Sequence, residues 1–406
     1  MSLAKKPLLF LCHRIPFPPN KGDKIRAWHL LKHLSRTHEI YLATFVDDPN
    51  DWEYTDKLAA ICKECYFADI NPRLARFRSL SGFFTGEPLS VAYYKNPKLR
   101  QWIDSVIDKH MIEDVVVYSS AMAQFIDRKV YTFNQVLIDF VDVDSDKWRQ
   151  YAQQKNWPLS LIYKREARRL LEFDKRAALS ADRCFFVSES EAALFKKLAP
   201  ETASKTTHYY NGVDTEFFRP DPSFSNPYPK QSIPLVFTGA MDYWPNIDAV
   251  CWFAQNVFAP LRESIPDATF IIVGSNPDAR VTRLKEIPGI TVTGRVEDVR
   301  PFIMYAKAAV APMRIARGIQ NKVLEAMAMA KPVVVSPQGL EGIATEEVII
   351  AEGKNDYIAA LTQIIQTNEN DLGVKARNFV KHTFNWENTL KGISGLMCRA
   401  QSQGFS

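Results

Sequence analysis

The hydrophobic positions of this chain fall into two stretches that follow the same grammar. In the first, the apolar run LLFLC at residues 8–12 enters a Pro-rich turn, after which Ile25, Trp28, Leu31 and Leu34 recur at helical spacing. That order predicts strand, loop and helix. The runs EIYLATFV, DVVVYS, QVLIDFVDV and CFFVS continue it, each the kind of unbroken apolar stretch that parallel sheets bury on both faces. From Leu235 the pattern restarts with LVFTGA, TFIIVGS, ITVTG, AAVAPM and KPVVVSP, alternating with helices such as one over Val323–Met329.

The expected architecture is therefore α/β, with two doubly wound, Rossmann-like domains. Between them lies YYNGVDTEFFRPDPSFSNPYPKQSIP, rich in Pro, Asn, Ser and Asp, which is linker chemistry. The predicted parts are 1–215, 216–383 and a closing segment, 384–406, read as a helix that crosses back to the first domain. A length of 406 residues suits two such domains.

Composition adds exclusions. Hydrophobic residues at 46% and charged residues at 24% describe a chain that folds throughout. A net charge of +5 suits a phosphate-bearing small substrate or an anionic surface without demanding nucleic acid. Cys62 and Cys65 form one C-x-x-C, but no second ligand pair follows, so no metal is expected there. No run approaches the roughly 18 apolar residues of a membrane span, and MSLAKKPLLFLC reads as a first strand rather than a signal peptide. The expectation is a cytoplasmic protein that at most rests on the inner face of the plasma membrane.

The strongest local signal is RIARGIQNKVLEAMAMAKPVVVSPQGLEGI, residues 314–343. A strand ends in a loop with Gly318, a helix starts near Asn321, and another strand follows Pro332. In open α/β sheets, ligands sit at the carboxyl ends of strands, where helix amino termini present free N–H groups to anions. A diphosphate fits there, with Lys322 adding charge and Glu325 accepting from ribose hydroxyls. A solvated Lys and an ordinary helical Glu fit the same spacing.

The same segment resembles the donor-binding signature of the group 1 (family 4) retaining glycosyltransferases of GT-B architecture. In order along the chain, PNKGDKIRAWHLLKHLS resembles their amino-terminal glycine loop and first helix, FVSESEAALF a VS-x-x-E segment, and NGVDTEFFRP an interdomain motif. HRIPFPPNKGDKIRAWHLLKHLS, VDVDSDKWRQYA, FTGAMDYWPNIDAV and GIQNKVLEAMA are similar to the branch that builds exopolysaccharide alongside the PEP-CTERM and exosortase system. The resemblance implies metal-independent sugar transfer with retention, from a nucleotide-sugar donor to a glycan or lipid-linked acceptor, with no cofactor.

It also implies site residues. Lys322, Glu325 and Arg317 stand at catalytic positions, although Arg317 replaces the first glutamate of the paired-glutamate motif. Gly22, Gly239, Asn246, Arg295, Val296, Arg314, Gly318, Asn321 and Val323 stand where the family holds its donor. His13, Arg26, Asp139 and Asp142 fall on the acceptor side. Tyr118, Ser119 and Ser120 occupy the place where many relatives carry a histidine. Asp142, Asp144 and Asp146 fail as a calcium loop, because Lys147 replaces the turn glycine and Gln153 the bidentate glutamate.

Residues 71–88 interleave Arg73, Arg76 and Arg78 with Leu74, Phe77, Leu80, Phe83 and Phe84. That mixture fits either peripheral contact with anionic lipid or a helix packed on its own domain. Two rival functions share the architecture: a nucleotide-sugar epimerase and a non-catalytic scaffold of polysaccharide assembly. A dinucleotide dehydrogenase is disfavoured, since no complete G-x-G-x-x-G follows any strand.

Overall fold

The computed structural model describes residues 5–316, 318–367 and 371–399. By its internal contacts the chain forms two compact units, one of residues 1–209 joined by the segment from Leu390, the other of Tyr210–Thr389.

The first unit is built on seven strands: β1 (Lys6–Cys12), β2 (His38–Val46), β3 (Glu64–Asp69), β4 (Asp114–Tyr118), β5 (Gln135–Val141), β6 (Arg183–Phe186) and β7 (Thr206–His208). They lie in the order β3-β2-β1-β4-β5-β6-β7 and every pairing is parallel. Parallel pairing requires crossover helices, which cover both faces and explain why β1 and β4 are apolar at nearly every position. β3 and β7 escape the apolar-run criterion. β3 lies at the sheet edge with most of its side chains half-buried, and β7 has only three residues.

The second unit repeats the plan with β8 (Ile233–Thr238), β9 (Ala268–Val273), β10 (Ile290–Gly294), β11 (Ala308–Ala311), β12 (Val333–Val335) and β13 (Ile349–Ile350), ordered β10-β9-β8-β11-β12-β13. In each sheet the chain works outward to one edge and then returns to the other side of its first strand. The reversal falls between β1 and β4 in one unit and between β8 and β11 in the other. Loops diverge at such a reversal and leave a crevice at the carboxyl ends of the strands.

The first unit ends at Tyr209, earlier than the boundary expected near residue 215. The hydroxyl of Tyr209 bonds the Asp139 carboxylate, and the Arg26 guanidinium lies 3.5 Å from the centre of its ring. The next residues belong to the second unit. Val213 N–H donates to the Phe384 carbonyl at 2.7 Å, and Arg377 donates to the carbonyls of Thr215 and Phe218. A Cβ on Gly212 would stand 2.9 Å from the Phe384 carbonyl oxygen and from Trp386 Cα, so the NGVD segment is fitted against residues 384–386. The closing helix spans Trp386–Arg399.

Candidate functional site

The reversal point of the second unit brings together three chain segments. β8 ends at Thr238, and Gly239 follows at φ 153°, its N–H donating to Val273 O at 3.0 Å. β9 ends beside it, and a Cβ on Gly274 would stand 1.7 Å from the Gly239 carbonyl oxygen. The two strand ends therefore touch backbone to backbone. β11 leads through Gly318, at φ 65°, into the helix Asn321–Ala328, whose amino terminus no side chain caps.

Lys322 projects from the first turn of that helix. Its Nζ donates to Asn246 Oδ1 at 3.0 Å and to Gln320 Oε1 at 3.5 Å, and stands 5.1 Å from the Phe237 ring centre. Among the described residues no carboxylate lies within ion-pair distance of it. Burial pushes the ammonium pKa down to about 8, opposed by the attraction of Glu325. Burial likewise raises the Glu325 carboxyl to about 7, opposed by Lys322. The site thus holds a cation in contact with neutral oxygens only, beside an uncapped helix amino terminus. Both features favour an anion.

The other residues expected at the donor site are placed differently from one another. Asn246 is buried, and both ends of its amide are engaged: Nδ2 donates to Ala240 O at 2.9 Å while Oδ1 receives Lys322. Through these two bonds it holds the lysine in place. Val323 is wholly buried in the core and its N–H bonds Gln320 O at 3.0 Å, so neither its side chain nor its amide is open. Arg314 is exposed and pairs with Asp248 at 3.2 Å. Arg295 is exposed and Val296 half-buried beyond Gly294, where β10 shifts register against β9. Asn321 is half-buried, its side-chain oxygen 3.5 Å from Asn211 Nδ2. Arg317 lies outside the described residues.

In the first unit the reversal point gathers a different set. His13, just past β1, stacks on Tyr118 with centroids 6.0 Å apart and meets the edge of Tyr94 at 5.9 Å. Its Nε2 is 3.5 Å from Asp23 Oδ2, and its buried Nδ1 has no hydrogen-bond partner among the described residues. Arg14 Nη1 also donates to Asp23, at 2.8 Å. Burial alone would raise the Asp23 carboxyl, but His13 and Arg14 hold it well below the usual range. Gly22 is the first residue of the helix Gly22–Leu34, with open space where a Cβ would point.

Arg26 and Asp139 do not serve as acceptor-side groups. Arg26 is fully buried, its Nε 2.8 Å from Asp139 Oδ2, and Asp139 also accepts from Tyr209 and from Val141 N–H. With its oxygens so engaged, Asp139 has none to offer a sugar. Asp142 is half-buried and held by Lys147 at 2.6 Å, and the same lysine reaches Asp144 at 3.0 Å. Among the described residues no group of three or more His, Cys, Asp or Glu side chains is placed to hold a metal.

Sequence reasoning missed Asp23, Gln320 and Asp174. The last lies on the helix Leu159–Ser180, is buried, and stands beside Ser120 just past β4. Burial raises its carboxyl to about 8, and Oδ1 has no partner among the described residues. Only folding brings residues 120 and 174 together. Gly274 did carry a signal, because FTG and IVG end adjacent strands in the same way.

Residues 233–367 match the family model described as glycosyl transferases group 1. An uncharacterized glycosyltransferase of Methanocaldococcus jannaschii is 26% identical over 178 residues, a match spanning 40% of this chain and 44% of that relative. A glycosyltransferase of Rickettsia africae superposes with a TM-score of 0.66 at 14% identity, covering 99% of this chain and 100% of the other. HepE of Anabaena, solved with UDP-glucose, gives 0.66 at 14% identity over 97% and 99%. The fold is thus GT-B, two Rossmann-like parallel-sheet domains.

Proposed function

We propose that this chain, whose residues 233–367 match the group 1 glycosyltransferase model, moves a sugar from a nucleotide-sugar donor to a glycan or lipid-linked acceptor. The reading carries retention of configuration, no metal, and a role in exopolysaccharide assembly at the inner face of the membrane, with residues 71–88 as the membrane contact. The observation that carries the donor assignment is Lys322, held by a neutral amide beside an uncapped helix amino terminus at the reversal point of the sheet. HepE, of the same fold, binds UDP-glucose at 14% identity, and this supports a nucleotide-sugar donor here.

In this mechanism the donor diphosphate lies against the turn that begins at Asn321. The anomeric C–O bond breaks with its electron pair leaving on the nucleoside diphosphate, and Lys322 with the helix N–H groups stabilises the growing charge. The acceptor oxygen bonds the anomeric carbon from the face the phosphate leaves, and its proton passes to the departing phosphate oxygen. Glu325 holds donor hydroxyls. His13, oriented by Asp23, stands on the acceptor side.

The test is a thermal-shift screen of UDP-, GDP-, ADP- and dTDP-sugars, followed by incubation of each stabilising donor with membrane lipid extract. Stabilisation by one donor class, lost in Lys322→Ala and accompanied by sugar transfer, is the expected result. Folded protein that no nucleotide sugar stabilises would overturn the assignment.

A further inference from the structure

The helices Pro72–Ser79 and Gly82–Thr85 of the first unit expose Phe77 and Phe84 at 74% and 93%. Leu74, one turn before Phe77, is also exposed, and clustered exposure of this kind marks an interaction surface where a lone residue does not. A second exposed apolar group lies far away in sequence, with Trp157 at 78% and Leu161 at 56%, where the chain enters the helix Leu159–Ser180. The two groups are joined. Arg165 donates through Nη2 to Glu87 O at 3.2 Å and also to Gly82 O, and its guanidinium lies 4.9 Å from the Phe83 ring centre. Glu166 accepts from the N–H groups of Leu89 and Ser90 at 2.7 and 2.8 Å, tying the long helix to the segment that follows Gly82–Thr85.

Charge selects the partner. Residues 71–86 carry Arg73, Arg76 and Arg78 with no Asp or Glu, and residues 155–165 carry Lys155, Lys164 and Arg165 with none either. Aromatic rings set among cations, with no acids, match an anionic bilayer surface, where rings enter the headgroup boundary and guanidinium groups meet phosphate. A symmetric pairing of two copies through this patch would set like charges against each other.

Position supports the same partner. Asp174, on the helix that Trp157 leads into, stands beside Ser120 just past β4, at the carboxyl edge of the sheet where His13 and Asp23 also lie.

We infer that the first unit docks on anionic lipid through a two-element anchor, in which the Trp157–Leu161 segment inserts together with the helices of residues 72–85. The inference rests on the proposed membrane contact of residues 71–88 and adds a second, sequence-distant element to it. The anchor places the acceptor-side edge of the sheet toward the lipid surface, as a lipid-linked acceptor requires.

The experiment is co-sedimentation of the full chain with vesicles of phosphatidylcholine alone or mixed with phosphatidylglycerol. Three proteins are compared: wild type, Phe77→Ser/Phe84→Ser and Trp157→Ser/Leu161→Ser. All four residues are exposed, and unchanged melting temperatures and donor-induced thermal shifts verify that the variants fold. Expected are binding to the mixed vesicles only, weakened by salt, and a loss of about tenfold or more in each double variant. If only Phe77→Ser/Phe84→Ser weakens binding, the two-element anchor fails and the simpler contact stands. If wild type ignores anionic vesicles, both fail while the donor assignment is untouched. A concentration-dependent dimer in sedimentation velocity that Phe84→Ser dissociates, or binding to single-stranded nucleic acid in place of vesicles, would also overturn the inference.

Discussion

Lys322 Nζ lies 3.0 Å from Asn246 Oδ1, while the other end of that amide is tied to the Ala240 carbonyl at 2.9 Å. The lysine is thus aimed by a neutral group that is itself fixed to the loop after β8. A neutral acceptor orients the ammonium without neutralising it, which leaves the charge available to an anion.

Asn246→Ala is expected to weaken donor binding about tenfold, the worth of roughly one good charge-assisted hydrogen bond. Asn246→Asp is expected to weaken it as well, because a carboxylate competes with the diphosphate for Lys322. Titration calorimetry with the stabilising nucleotide sugar checks both. An aspartate variant that binds tighter would contradict the positioning role.

Donor affinity should depend on pH from both sides. Glu325 loses its proton near pH 7 and becomes a full acceptor for hydroxyls, while Lys322 loses its charge near pH 8. Affinity should therefore be highest between the two values, rising through the first and falling above the second. Binding above pH 8 should take up protons, because a diphosphate restores the ammonium. Glu325→Gln should flatten the acid side of the profile and Lys322→Ala the alkaline side, measured as Kd against pH.

Gly274→Ala should be destabilising by about 1–3 kcal/mol in urea unfolding, the usual range for overpacking. Its Cβ would stand 1.7 Å from the Gly239 carbonyl oxygen, so one strand end must move. Since Gly239 packs against Asn246 and Lys322, donor binding should fall with stability.

Asp139→Ala should cost about 3–5 kcal/mol, because it leaves the buried Arg26 guanidinium without its carboxylate. The loss should appear in stability with no change in acceptor KM in the folded fraction. A selective KM effect would restore Asp139 to the acceptor side.

Asp174 gives a stability signature. Its folded-state pKa, about 8, stands above the ordinary value of 3.8, so the folded chain keeps a proton that the unfolded chain releases. Its contribution is therefore fully present below pH 4 and is lost as pH rises toward 8. Asp174→Asn should lessen the fall in Tm across that window and leave the Ser120 contact available.

How much the sequence determines follows from which interactions are local. Apolar runs and helical spacing report burial and periodicity, which depend on neighbours in the chain, so the two-sheet plan, most strands and the helix at Asn321 were legible. The turn glycines of FTG and IVG likewise show in the residues themselves. What a side chain does once buried is not local. Arg26 and Asp139 look like cleft residues in a list of polar groups near strand ends, yet each finds the other across 113 positions of sequence and is consumed in a core ion pair. That Asn246 holds Lys322 shows only once the fold sets them 3.0 Å apart across 76 positions of sequence. Asp174 is a raised carboxyl only because the fold buries it beside Ser120. Tertiary structure decided these roles, because desolvation and the choice of hydrogen-bond partner are fixed by what surrounds a group in space.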